Sequence, residues 1–394
     1  MVKPRAEESD RTALVVAGAG ARGAYEAGVL RTLLPALHAD GHPPTMLFGT
    51  SAGALNVVGL AAYADLGPAA ATVKIAQMWE AVRLRQVSNV LVSGVGDISH
   101  FLLQLLGARV RLTSLLDTRR LAATVAPLID WEKLHENIRT GPIDLVGVAT
   151  TSAATGGTVV FVEKKPSIPL PPPDLSRNIT YVETTLTADH ALASAAIPVA
   201  FRPVQVSEPP LWKGWYFDGG VRLNAPIKPA VAFGASRIAA VATQPVTYAP
   251  IEPTGDGRAP DIQADAAQLL RSVLADRMIE DLRTLSNLND ALDGRPHPVF
   301  RPIEFVFAGP PTDGNCDIGD LAERQFETHF AGHRGLRSPD LWLLSRLIGG
   351  SHAEHGDLLS FLFFDPAFTV PAADLGARHA QASTDGGVHW QWTL

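Results

Sequence analysis

A chain of 394 residues has room for two or three domains of about 150 residues each, or for one large α/β unit. With 46% hydrophobic and 19% charged residues it can bury a sizeable core, which excludes general disorder. Its 33 basic and 40 acidic residues give a net charge of −7, so neither a nucleic-acid footprint nor a polybasic lipid anchor is expected. The single cysteine, Cys316, cannot form an internal disulfide. Residues 1–12 are polar and contain no apolar signal region. The longest apolar stretch, Ala52 to Ala64, is short and rich in Ala and Gly, as in a buried helix rather than a membrane span. The expectation is a protein of the reducing cytoplasm.

In chain order, residues 1–11 form a polar tail, and Ala13 to Ala17 has the continuous apolar pattern of a strand buried on both faces. It runs into Gly18-Ala19-Gly20-Ala21-Arg22-Gly23. A helix follows, in which Tyr25, Val29, Leu30, Leu33, Leu34 and Leu37 recur at helical spacing, closed by Gly41-His42-Pro43-Pro44. A second apolar run, Met46-Leu47-Phe48, enters Gly49-Thr50-Ser51-Ala52-Gly53 and another apolar helix. This repetition is the rhythm of a parallel α/β sheet. Residues 72–140 read as mostly helical, and strands are expected at 143–149 and 158–162. A proline-rich loop follows at 164–174, then a helix at 187–196 that stops before Pro198. Further on come a turn at Asp218-Gly219-Gly220, a strand at 238–242, a loop at 250–260, a helix at 264–288 and a last clear strand at 303–308. Beyond Ile318 only helices and loops are expected.

Three places can carry chemistry. Gly49 to Gly53 matches Gly-x-Ser-x-Gly between a strand and a helix, where the pattern sets a serine on a sharp turn facing the positive end of the helix dipole. Gly18 to Gly23 reads literally as the Gly-x-Gly-x-x-Gly of dinucleotide sites. That reading requires an acidic residue at the end of the second strand, and Asp40 precedes the strand instead. The alternative is a loop whose amides face Ser51, since successive βα turns of a parallel sheet share one edge. For the base that a serine needs, the Ser-Asp-His chain order could be met by a late histidine such as His297, His333 or His389. Asp218, on its glycine turn after Trp215-Tyr216-Phe217, reads by itself as an ordinary turn. His352, Glu354 and His355 have metal-like spacing but fall in an expected loop, and His190 reads as a packing residue on a helix.

The ordered set of Gly-x-Gly-x-Arg-Gly at 18–23, Gly-x-Ser-x-Gly at 49–53 and Asp-Gly-Gly at 218–220 resembles the patatin-like phospholipase family. The stretches Leu115 to Leu121, Ala193 to Pro203 and Asn224-Ala225-Pro226 are similar to that family as well. The resemblance covers about residues 12–245. It implies a three-layer α/β/α fold with a mostly parallel central sheet, a catalytic domain over 12–310 and a mainly helical extension over 311–394. It further implies a serine lipid acyl hydrolase in which Ser51 is the nucleophile and Asp218 accepts its proton. Gly18, Ala19, Gly20, Ala21, Arg22 and Gly23 would then form the oxyanion hole, chiefly through amides around Gly20 and Ala21. Gly49, Thr50, Ala52 and Gly53 would form the nucleophile elbow, with Gly219 and Gly220 completing the aspartate motif. No cofactor, metal or nucleic acid is implied. The partner is a lipid or phospholipid acyl ester, with transient contact at a membrane surface, and oligomeric state stays open. Ala19, where many members have glycine, would be strained at a positive φ. Arg22 reads as a structural ion pair in preference to a phosphate contact. The other classes that remain are an α/β-hydrolase-type esterase with a Ser-Asp-His triad and a non-catalytic nucleotide- or lipid-binding protein. The apolar segment 94–112, centred on Leu102, Leu103, Leu105 and Leu106, is expected to form a flap over the site.

Overall fold

The computed structural model describes residues 11–82, 126–198, 201–246, 278–292, 300–311, 317–330 and 354–392, together with positions 295 and 297. The apolar segment 94–112, the stretch Leu115 to Leu121, the loop 250–260, Cys316, His333 and His352 lie outside the described residues, as do the side chains of Glu354 and His355.

The N-terminal half follows the expected alternation. Strand β1 (Thr12–Val16) leads through the first glycine turn into helix α1 (Gly23–Ala39), and β2 (Pro44–Thr50) leads through the second into α2 (Ala52–Ala62). Helices α3 (Pro68–Ala81) and α4 (Trp131–Arg139) follow, the latter capped by Asp130, whose carboxylate accepts from Lys133 N at 3.1 Å. Then come β3 (Leu145–Ser152), β4 (Thr158–Lys164), β5 (Ile179–Glu183) and the short helix α5 (Ala188–Ser194). Strands β6 (Val204–Val206) and β7 (Gly214–Asp218) make a hairpin, followed by α6 (Ile227–Ala232) and β8 (Arg237–Val241). The remaining described elements are α7 (Met278–Leu292), β9 (Glu304–Ala308), α8 (Asp317–Phe330), α9 (Glu354–Leu362) and α10 (Pro366–Gln381).

The strands join one sheet in the order β5-β4-β3-β2-β1-β8-β9. Pairing is parallel from β3 through β2, β1 and β8 to β9, and between β4 and β5; β3–β4, β3–β7 and β6–β7 are antiparallel. This is a mixed, mostly parallel sheet with helices on both faces. The period-two alternation of a strand explains the layering. Leu14 and Val16 of β1 join a core with α1, α2 and α3, whereas Ala13 and Val15 point into a second core with α6 and α7. A strand buried on both faces has no polar side to show, which is why β1 reads as an unbroken apolar run.

The C-terminal helices pack against the first half of the chain. Helix α10 lies across α1, with a 2.9 Å hydrogen bond between Tyr25 Oη and His379 Nδ1 and Thr32 Oγ1 donating to Ala377 O at 3.1 Å. The two backbones approach so closely that a Cβ on Gly28 would overlap the Ala373 carbonyl, and one on Gly376 would overlap that of Tyr25. By contrast, a Cβ on Gly59 of α2 would meet nothing nearer than Ile75 Cγ1 at 3.4 Å, an ordinary contact. Gly28→Ala is therefore expected to destabilise by about 1–3 kcal/mol or more through overpacking. Gly59→Ala should be neutral or stabilising by about 0.5–1 kcal/mol through helix propensity. Denaturant melts of the two variants check both signs.

Candidate active site

Strand β3 brings the site together. On one edge, Met46 to Thr50 of β2 pair with Leu145 to Ala149; the same edge then continues with Asp218, Phe217 and Tyr216 of β7 opposite Thr150, Thr151 and Ser152. Strand β4 occupies the other edge. Strands β2 and β7 run in opposite directions and end facing each other, which puts the residue after Thr50 against Asp218. Ser51 Oγ donates to Asp218 Oδ2 at 2.6 Å, and both residues are 3% exposed.

The turn around Ser51 is forced. Its φ is 54° and ψ −124°, a conformation that costs an L residue on the order of 1–3 kcal/mol. The neighbours hold it there. A Cβ on Gly49 would strike the Gly53 carbonyl, and one on Gly53 would strike the carbonyls of Val16 and Ala17, so only glycine fits either place. Ser51 N donates to Ser194 Oγ at 2.9 Å, and that hydroxyl donates in turn to Ala149 O at 2.6 Å. Helix α2 starts at Ala52, aiming its positive end at the serine oxygen.

Burial raises the Asp218 carboxyl from its ordinary 3.8 to about 7. The hydrogen bonds from Ser51 and from Gly220 N, the latter at 2.7 Å, pull it part of the way back. A carboxyl titrating there is a far better acceptor for a serine proton near neutral pH than an ordinary aspartate. Thr151 Oγ1 donates to Asp218 O at 2.9 Å and fixes the turn that Gly219 and Gly220 continue.

In the first glycine turn the amides divide into two groups. Gly18 N donates to Asn224 O at 3.0 Å, Arg22 N to Ala19 O at 3.1 Å, and Gly23 N to carbonyls of its own turn. These three positions of the expected oxyanion loop are therefore committed. The amides of Ala19, Gly20 and Ala21 make no hydrogen bond to another described residue. The anticipated strain at Ala19 does not arise, because its φ is −142° and the positive φ of +56° falls on Gly20.

Arg22 is fully buried and forms a structural ion pair with Asp357 on α9, alongside a 2.6 Å hydrogen bond from Nε to Ser360 Oγ and a Phe361 ring 4.0 Å from its guanidinium carbon. The Phe361 carbonyl lies where a Gly20 Cβ would be, so α9 presses on the loop itself. An apolar pocket adjoins the serine, lined by Gly20, Ser51, Leu55, Trp79, Phe201 and Phe364. Trp79 is set in its wall by donating to Asn56 Oδ1 at 2.8 Å, while Asn56 Nδ2 donates to the buried Glu26 at 3.0 Å. Trp79 and Asp357 belong to no motif, while Ser194 and Asn224 lie in the family-like stretches 193–203 and 224–226 with no local sign of the bonds they make. The partners of all four lie far away in sequence, beyond any local pattern.

The other expected participants lie elsewhere. Among the described residues no histidine hydrogen-bonds to Ser51 or Asp218. His297 accepts from Phe300 N, His389 Nε2 donates to Asp385 O at 2.8 Å, and His190 is buried, closing a capping box with Thr187 on α5. Asp40, the residue a dinucleotide reading would need, accepts from Trp390 Nε1 at 2.8 Å. No group of three His, Cys, Asp or Glu in metal-binding proximity occurs among the described residues.

With this geometry in place, the chain can be compared with known proteins. No curated protein matches it. Among solved structures, VipD from Legionella pneumophila is similar at 13% identity with a TM-score of 0.31, over 77% of this chain and 61% of that one. The chain thus spans less than two thirds of the length of that structure. A family model described as patatin-like phospholipase matches residues 14–231. That interval is more than half of the sequence and contains all three glycine-rich turns, and the chain belongs to the patatin-like phospholipase family.

Proposed function

We propose that this protein is a serine acyl hydrolase that cleaves fatty-acyl esters of phospholipid-like substrates through Ser51 and Asp218, without a histidine. The observation that carries the reading is the buried 2.6 Å hydrogen bond from Ser51 Oγ to a carboxylate whose titration burial has moved to about 7. In the first half-reaction Ser51 Oγ attacks the ester carbonyl carbon as its proton passes to Asp218 Oδ2. The tetrahedral oxyanion is held by amides of Ala19, Gly20 and Ala21 and by the N-terminus of α2. Collapse expels the alcohol, which takes the proton from Asp218 and leaves an acyl-Ser51 ester. Water then adds to that ester, gives its proton to Asp218, and the fatty acid departs as Ser51 regains a hydrogen. The pocket walled by Leu55, Trp79, Phe201 and Phe364 receives the acyl chain.

Ser51→Ala should abolish hydrolysis of short-chain nitrophenyl esters with little change in melting temperature. Asp218→Asn keeps the side-chain size but cannot accept the proton, so kcat should fall by about 10²–10⁴-fold. His297→Ala and His389→Ala should each stay within about twofold of wild type; this is checked by steady-state kinetics on the folded variants.

The pH dependence follows from the raised carboxyl. Catalysis requires the ionised form, so kcat/KM should rise with pH along an acid limb with an apparent pKa near 7 instead of near 4. Stability should move the opposite way. A carboxyl whose folded pKa exceeds its unfolded value of 3.8 contributes stability that is fully present below pH 3.8 and is lost as pH rises through about 7. The melting temperature of Asp218→Asn should therefore gain on that of the wild type across this window and run parallel to it above.

The Arg22–Asp357 pair makes the loop depend on α9. Asp357→Ala removes the carboxylate from a buried cation that keeps its acceptors at Ser360 Oγ and the main-chain oxygen of residue 357. With the Asp357 side chain 27% exposed, the cost should fall below the roughly 3–5 kcal/mol of a fully buried pair. Displacing the loop should lower kcat more than it raises KM. Substrate saturation curves for Asp357→Ala and the milder Asp357→Asn separate the two effects.

A further inference from the structure

Strand β7 reaches Asp218 from beyond the edge at which Ser51 lies. Tyr216 pairs with Ser152, the last residue of β3, so Trp215 and Gly214 already extend past the end of that strand. At about 3.4 Å per residue, Gly214 stands roughly 14 Å outward from Asp218, with the hairpin tip further out. Leu211 at that tip is 90% exposed, Trp215 is 54% exposed, and Val221, on the turn after Asp218, is 38% exposed.

The hairpin that carries them is fixed. Tyr216 Oη donates to Trp212 O at 2.7 Å. His190 Nδ1 accepts from Thr187 N at 3.1 Å, which leaves Nε2 to donate to Glu208 O at 2.9 Å. The tip is thus pinned to buried α5, and its apolar side chains are held outward. Charge distinguishes the same stretch. Among residues 202–222 the exposed ionisable groups are Arg202, Lys213 and Arg222 against Glu208, in a chain with 33 basic and 40 acidic residues overall. Three outward apolar side chains fall far short of the roughly 1,200 Å² buried by a stable protein interface. A tryptophan and a leucine above basic residues match what an interfacial lipid anchor needs, an apolar wedge with cations at phosphate level.

We propose that the β6–β7 hairpin is such an anchor. Leu211 and Trp215 enter the headgroup–acyl boundary of a phospholipid bilayer, with Lys213 and Arg222 facing lipid phosphates and the edge that bears Ser51 turned to the surface. The proposal rests on the acyl-hydrolase reading for its substrate, while membrane binding itself does not require turnover. It also places the lipid contact on residues other than the segment 94–112.

The test is flotation with vesicles of phosphatidylcholine and phosphatidylglycerol, using the Ser51→Ala protein so that no lipid is consumed. The parent should float with the vesicles. Adding Leu211→Glu should lower the bound fraction about tenfold, and Lys213→Glu should lower it severalfold. With Ser51 intact, Leu211→Glu should hydrolyse a soluble short-chain ester within about twofold of wild type and melt at the same temperature. Leu211→Ser, which adds no charge, should also weaken flotation. A parent that does not float overturns the proposal. Unchanged flotation of Leu211→Ser also overturns it, even if the glutamate variant is misfolded. So does loss of a dimer on Leu211 substitution with flotation unchanged, since the patch would then be a protein interface. Flotation without any ester hydrolysis by the wild type would refute the hydrolase reading while upholding the anchor.

Discussion

One edge of β3 serves two partners, and the site depends on the point where it changes from one to the other. Up to Ala149 the edge is taken by β2, and from Thr150 onward by β7 running the opposite way. Backbone ladders are fixed in register by both buried faces, so the two strand ends cannot slide apart without exposing core residues to water. Ser51 and Asp218 are thus neighbours through main-chain pairing, before any side-chain preference acts. Thr50 and Thr151 reinforce this by donating to Leu223 O and Asp218 O, each at 2.9 Å.

The same enclosure sets the chemistry. A carboxylate buried among apolar groups is a destabilising charge, and the energy that folding spends on it appears as a raised pKa. An aspartate of ordinary acidity would be a poor base for serine. Burial brings it near neutrality, and in the proposed mechanism the shift that weakens the fold at neutral pH is what would let a carboxylate stand where other hydrolases use imidazole. Strain at Ser51 persists for a related reason. The surrounding backbone, from the Val16 and Ala17 carbonyls to the Ser194 hydroxyl, leaves the turn no relaxed alternative.

Strands β1 and β2 are legible in the sequence because both of their faces are buried, which produces unbroken apolar runs ending in glycine. Strands β5, β6 and β7 are not. Ile179–Glu183 mixes polar with apolar positions, Val204–Val206 has three residues, and Gly214–Asp218 carries the exposed Trp215. Helix α7 continues beyond the expected end at Leu288 because Asn289, polar in sequence, is used inside: it bonds Ile303 N at 3.0 Å and Ile303 O at 2.9 Å. At the site, Ser51 and Asp218 are visible because each needs a glycine turn with a local signature. The division of labour among the loop amides is not, since it depends on Asn224 and on φ angles. Arg22 is legible as one half of a structural ion pair, but its partner Asp357, 335 positions away, is not. The pair joins a loop inside the family-matched region to a helix well beyond residue 231.

The reactive centre can be read most directly by labelling the purified full-length protein with a fluorophosphonate, which forms a covalent bond only to an activated serine, and mapping the modified residue. The account predicts a single adduct on Ser51 that forms faster as pH rises through about 7 and is nearly lost in Asp218→Asn. Labelling of a different serine, or undiminished labelling of Ser51 when Asp218 is replaced, would contradict it.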